Sequence, residues 1–155
     1  MKIICLDQST KVTGYSVFEN QELITYGVLE VNGKDKLMER MYQMYFKIKE
    51  LFEVIKPDYV FLEDTQYQNN FASFQALSQF QGIIMGGLLF EKNIGFQIVQ
   101  PTTWKSAVGV HGKKRKEQKS SAIQIVKTMF GFKDISEDEA EAILIGKWAS
   151  ETLLK

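Results

Sequence analysis

Cysteine and histidine occur once each in this chain of 155 residues, as Cys5 and His111. A single thiol excludes an internal disulfide and fits a reducing compartment. Without a second His or Cys there is no ligand set for a zinc site. An excess of one charge is also missing, because 19 Lys and Arg balance 19 Asp and Glu, so any basic surface for a nucleic acid has to be local. No apolar stretch approaches the ~18 residues that a membrane-spanning helix needs. The chain opens at once on Met-Lys-Ile-Ile-Cys-Leu, with no cleavage signal, and the expectation is a soluble, cytoplasmic protein with no membrane partner. No internal repeat or low-complexity linker divides it, and 45% hydrophobic residues suit one compact domain over residues 1–155 with a real core. Cys5 lies in an apolar run and is expected to be a small buried strand residue.

What is present reads as alternating elements. Ile3 to Leu6 and Tyr15 to Phe18 predict two strands of a hairpin with Asp7 at its first bend, and Leu23 to Val31 predicts a third antiparallel strand. From Lys36 to Ile55 the residues Leu37, Met41, Met44, Ile48, Leu51 and Phe52 recur at helical steps, and Pro57 stops the pattern. A buried strand follows from Asp58 to Glu63, then a helix from Phe71 to Lys92 and a short strand from Gly95 to Val99. Pro101 to Trp104 opens a helical turn, Gly109 to Gly112 reads as a loop, and Arg115 to Phe130 is helical by pattern. A last helix runs to about Leu153, with Ser136 and Glu139 as its capping box. Three meander strands followed by right-handed crossovers predict an α/β fold, a mixed five-stranded sheet flanked by helices.

Acids stand where such a sheet can assemble a site. Asp7 ends the first strand, Glu63 ends the fourth about 55 residues later, and Asp138 and Glu141 share one face of the last helix. Four carboxylates in one pocket would repel strongly without a cation, and oxygen-only ligation suits Mg²⁺ or Mn²⁺. Acids at strand ends and in first helical turns are also common for reasons unrelated to function; it is their order and spacing together that point to a site.

The run Leu6-Asp7-Gln-Ser-Thr-Lys-Val-Thr-Gly14-Tyr resembles the opening motif of RuvC-type Holliday junction resolvases, in the ribonuclease H-like superfamily. Leu62-Glu63 resembles that family's second acid, and Asp138-Glu-Ala-Glu141-Ala-Ile its C-terminal acidic motif. The resemblance covers nearly the whole chain and implies a homodimer, a Mg²⁺-dependent endonuclease and four-way DNA junctions as substrate, in a bacterial or phage-infected cell. Two Mg²⁺ ions, with Mn²⁺ able to substitute, would activate a water, neutralise charge and stabilise the leaving oxygen. Asp7 is then expected to bridge the ions, Glu63 and Glu141 to bind opposite ions, and Asp138 to bind metal or position water, giving 5′-phosphate products. The family more often has Gly where Ser9 stands and Asp where Glu141 stands.

Lys113, Lys114, Arg115, Lys116 and Lys119 put five positive charges within seven residues, an expected phosphate-binding element beside a helix N-terminus. The resemblance makes Lys116 and Lys119 the pair expected to approach the cleaved phosphate. The loop after Glu63 carries Tyr67, Phe71 and Phe74 among amides, either as helix core or as a wedge that stacks on unpaired bases. Family members carry a Phe wedge in this loop, and its ungapped counterpart here is Gln66, with Tyr67 or Phe71 able to stand in. His111 reads as incidental, and Trp104 and Trp148 as packing residues. The helix from Phe71 to Lys92 is apolar around much of its surface and contains Gly82, Gly86 and Gly87, making it the expected dimer face. A helicase partner is left unknown by the sequence. Two rival classes are an actin-like nucleotide-binding protein, which would need a second domain, and a junction-binding module without catalysis.

Overall fold

The computed structural model describes residues 1–153. Strands β1 (Lys2–Asp7), β2 (Val12–Glu19) and β3 (Glu22–Glu30) form the meander, and helix α1 (Leu37–Ile55) leads to β4 (Tyr59–Glu63). Helix α2 (Phe71–Ile84) continues into a π-helical segment at Met85–Phe90 before β5 (Gly95–Val99). Helices α3 (Pro101–Val108), α4 (Arg115–Phe130) and α5 (Glu137–Leu153) follow. The strand order is β3-β2-β1-β4-β5. β1 and β3 run antiparallel to β2, whereas β1 pairs with β4, and β4 with β5, in parallel. This is the mixed five-stranded sheet expected from the pattern.

Side-chain alternation divides the core into two layers. Ile3 and Cys5 of β1, Phe18 of β2 and Phe61 of β4 face α3, α4 and α5, whereas Ile4, Leu6, Val17, Val60 and Leu62 face α1 and α2. Asp7 and Glu63 continue the odd-numbered rows, so their carboxylates belong on the α5 side. Cys5 has no solvent exposure, and burial pushes its thiol up in pKa against a smaller opposite effect of Ser16.

Asp7 ends β1 as expected, and it pairs with Gly14 before the chain bends. Three details depart from the sequence pattern. α3 extends over eight residues instead of one turn, with Pro101 at its start and Gly109 closing it in left-handed conformation. The helix after Phe71 is amphipathic: Phe80, Ile84, Leu88 and Leu89 are buried, leaving Gly82, Ile83, Gly86, Gly87 and Phe90 on the exposed side. Its π-helical end contains Gly86 and Gly87 and shifts the periodicity that a 3.6-residue template assumes.

α5 lies directly on the meander. Ser16 Oγ donates to the carbonyl of Ala142 at 2.6 Å in the buried interface. Gly14 has no room for a side chain, because a Cβ there would collide with the backbone carbonyl of Asp138, and one at Gly146 would strike Phe18 and Ser16. Glycine at position 14 therefore sets how closely the acidic end of α5 approaches β1. Gly14→Ala is expected to destabilise the protein by about 1–3 kcal/mol, the range for overpacking a tight contact, measured by urea denaturation. An unchanged midpoint would show that α5 can retreat without cost.

Candidate active site

The parallel register Leu6↔Leu62 brings the ends of β1 and β4 side by side, and Asp7 and Glu63 are the next residues on each. Asp138 and Glu141, one turn apart near the start of α5, close over them. All four acids line one open cleft of about 740 Å³, a size that holds a sizeable ligand segment. The sequence-predicted carboxylates are thus brought together in one place.

Their electrostatics are those of a crowded anionic pocket. Burial, then the negative fields of Glu63, Glu141 and Asp138, push the Asp7 carboxyl well above its ordinary range, and a hydrogen bond with Glu63 adds to the rise. Glu63 is raised by burial and by Glu141, opposed by a hydrogen bond from Trp104, by Lys105 and by Asp7. Half-buried Asp138 is raised by burial and by Glu137 and Glu139, and lowered by Lys119 and Arg115. Lys119 donates to Glu137 Oε2 at 2.6 Å. Burial disfavours its charge, but that bond and the fields of Glu141 and Glu137 outweigh it and hold the ammonium above its usual value.

Two residues of α3 enter the site that were not expected there. Lys105 Nζ lies 3.8 Å from Glu141 Oε1, and the neighbouring Trp104 donates its indole N–H to Glu63 Oε1 at 2.8 Å. Trp104 is also a packing residue, with no solvent exposure, so the packing role is joined by a polar one. A signal was available: Pro101 starts a helix straight after a strand parallel to β4, which aims that helix's side chains at the strand-end acids. The Glu63 carbonyl is held by Gln8 Nε2 at 2.7 Å and Gln81 Nε2 at 2.9 Å. Gln8 lines the cleft and keeps its Oε1 buried with no donor among the described residues.

The basic run divides. Arg115 and Gln118 line the cleft, and Lys119, on the same helical face as Arg115, reaches the acids from α4. Lys113, Lys114 and Lys116 are exposed and outside the cleft lining, whereas Lys105 of α3 lies beside the acids. The helix N-terminus is partly spoken for: the Glu117 carboxylate accepts from the backbone N–H of Lys113 at 2.8 Å and Lys114 at 3.1 Å. An acid already occupies the position where an anion would bind those amides. His111 is tied to Ser121, whose hydroxyl lies 3.0 Å from its Nδ1, and holds the 109–114 loop against α4. Trp148 packs edge-on against Phe61. Phe71 and Tyr67 are 66% and 60% exposed, which removes the core reading for Phe71, and Tyr67 rests edge-on against half-buried Phe74. Gln66 is exposed and lines the cleft.

The donor set is carboxylate oxygen throughout, fitting a hard divalent cation. Among the described residues, no three His, Cys, Asp or Glu side chains are already closed around a cation-sized point. Glu141 lies beside Lys105, and Glu63 accepts from Trp104. A cation among these acids would offset the mutual repulsion that raises Asp7 and Glu63.

A pH-dependent stability follows. The folded Asp7 and Glu63 hold their protons to higher pH than the unfolded chain does, so stability is fullest below the ordinary carboxylate range and declines as pH rises above it. In metal-free buffer Asp7→Asn is expected to raise the melting temperature, by more at pH 8 than at pH 5, and Mg²⁺ is expected to stabilise the wild type more than the variant. A variant that melts lower than wild type at pH 8 would contradict the repulsive cluster.

Comparison with known proteins agrees with this geometry. The family model described as crossover junction endodeoxyribonuclease RuvC matches residues 3–146. A relative from Orientia tsutsugamushi with that name is 29% identical, covering 97% of this chain and 95% of its own. One from Syntrophomonas wolfei is 26% identical, covering 94% and 86%. In structure, the chain resembles Thermus thermophilus RuvC in complex with Holliday junction substrate, with a TM-score of 0.77 over 99% of this chain and 96% of that one at 16% identity. With a parallel β1–β4 pair carrying the first two acids and α5 carrying the second two, this chain belongs to the RuvC family of crossover junction endodeoxyribonucleases.

Proposed function

We propose that this protein is a structure-selective endonuclease that resolves Holliday junctions, and cuts other branched DNA, by hydrolysing phosphodiesters to 5′-phosphate and 3′-hydroxyl ends. The observation that carries the reading is the meeting of Asp7, Glu63, Asp138 and Glu141 in one cleft of a RuvC-family chain. Asp7, Glu63 and Glu141 would hold two divalent cations, Mg²⁺ or Mn²⁺, with Asp138 binding metal or orienting water. Bound there, the two cations would supply an activated water and neutralise charge on the attacked phosphate and the leaving oxygen.

The chain's own cations complete the site. Lys119, held charged beside Glu137, and Lys105, beside Glu141, flank the acids from α4 and α3 and can offset charge on a phosphate. Arg115 lines the cleft, and exposed Lys113, Lys114 and Lys116 extend the positive surface away from it for backbone contacts. With Gln66 where the family has its wedge, stacking falls to exposed Tyr67 or Phe71, which supports broad branch tolerance and weak base preference. Two symmetric cuts call for a two-fold homodimer of single-domain chains. The exposed side of α2 and its π-helical end, with Gly82, Ile83, Gly86 and Phe90, is the face offered to the partner. No described helix is long and apolar enough to cross a membrane, and the cytoplasm is the proposed compartment.

Asp7→Asn and Glu63→Gln are each expected to lower cleavage of synthetic four-way junctions at least a hundredfold while retaining junction binding. Removing an acid disables the metal chemistry and lessens repulsion of phosphates. Nicking and gel-shift assays in Mg²⁺ and in EDTA measure the two effects. Full cleavage by either variant would sink the metal-site assignment, and junction binding without Mn²⁺ uptake by wild type would favour the non-catalytic module.

Lys114→Ala combined with Arg115→Ala is expected to weaken junction binding and flatten its salt dependence by about two units, one for each phosphate contact. An unchanged slope would make the basic run an ordinary solvated surface.

A further inference from the structure

Glu63 is restrained more completely than the other three acids. Its backbone carbonyl accepts from Gln8 after β1 and from Gln81 on α2, at 2.7 and 2.9 Å. Its side chain accepts from Trp104 on α3 at 2.8 Å. The two glutamines are 6% exposed and the tryptophan is not exposed at all. Three buried N–H groups from three separate elements therefore converge on one residue.

We infer that Trp104 is a positioning residue of the metal site, whose indole N–H holds Oε1 of Glu63 and so fixes how the carboxylate faces a cation. This rests on the reading of Glu63 as a metal ligand. A neutral donor suits the task. A lysine or arginine at this depth would neutralise the carboxylate and compete with a divalent cation for it, whereas an indole orients the group and leaves its charge. The indole has only one donor and no acceptor, so it cannot turn to serve another partner without leaving a buried N–H unsatisfied. Its ring is clamped as well: it sits in the layer formed with Phe61, Val99, Ala122 and Ile143, and Lys105 Nζ lies 5.3 Å from the ring centroid. Adjacent residues of α3 thus address two acids, Trp104 holding Glu63 and Lys105 facing Glu141.

The structural alternative is that Trp104 merely fills the core and satisfies its N–H on the nearest oxygen. Trp148 provides the comparison, since it packs on Phe61 in the same layer and, among the described residues, donates no side-chain hydrogen bond to an acid. Mn²⁺ binding by calorimetry and thermal melting are measured for full-length wild type, Trp104→Phe, Trp148→Phe and Glu63→Gln. Trp104→Phe keeps an aromatic ring and deletes the donor, and it is expected to weaken Mn²⁺ binding about 10- to 100-fold. Trp148→Phe is expected to lose stability but keep Mn²⁺ affinity within about threefold of wild type, well below the span of a positioning loss. The two ¹⁵N-labelled indole signals of wild type, assigned with Trp148→Phe, supply a readout that does not depend on the Trp104 variant folding: Mg²⁺ is expected to move the Trp104 signal and leave the Trp148 signal in place. Wild-type Mn²⁺ affinity in folded Trp104→Phe, or a Trp104 indole signal that Mg²⁺ does not move, would overturn the inference. If Glu63→Gln itself binds Mn²⁺ like wild type, the failure belongs to the metal-ligand reading instead.

Discussion

One register holds the site together. Pairing of Leu6 with Leu62 in the parallel β1–β4 ladder carries Asp7 and Glu63 out of the sheet side by side, and a slip of one residue would turn one of the two carboxylates to the α1–α2 layer. The register is secured by the apolar rows behind it, Ile4, Leu6, Val60 and Leu62 on one face and Cys5 and Phe61 on the other, all fully buried. α5 must then come close enough to add its own acids, which it does over Gly14 and through the Ser16–Ala142 hydrogen bond.

That closeness is electrostatically unfavourable in the protein alone. Burial raises Asp7, Glu63 and Asp138; other site acids add to it at Asp7 and Glu63, and Glu137 and Glu139 add to it at Asp138. The opposing contacts are arranged at the perimeter: Lys105 meets Glu141, Lys119 lies beside Glu137 within the field of Asp138, and Trp104 meets Glu63. Each of these contacts engages one acid and leaves the carboxylates of the cleft in one another's field. A fold that filled the centre with lysine would be more stable and would have no use for a cation.

The helix after β4 links this chemistry to the outside. Its buried face carries Gln81, which holds the Glu63 carbonyl, while its exposed face carries Gly82 and Ile83 at the very next positions. The residue that supports Glu63 and the exposed apolar face are thus adjacent in sequence on one element.

Much of this was legible in the chain itself. Periodicity of 3.6 and alternation of 2 are backbone geometry, so β5, α1, α4 and the extent of α5 could be read nearly to the residue, as could the capping box at Ser136, whose reciprocal bonds with Glu139 are present. The four acids were legible because strand ends and helical spacing determine where their side chains emerge. Other features needed the tertiary structure. Trp104 and Lys105 look like any packing residue and surface lysine until α3 is folded against β4, and Phe71 changes from core to exposed aromatic only once α2 has chosen its buried face. Lys116 and Lys119 are equivalent by composition, yet helix docking turns only Lys119 to the acids. By itself the sequence determined which elements form and which acids end them, because those follow from local geometry. Which cation and which indole meet those acids was decided only by the packing of helices on the sheet, because contacts between residues some forty positions apart have no local period to reveal them.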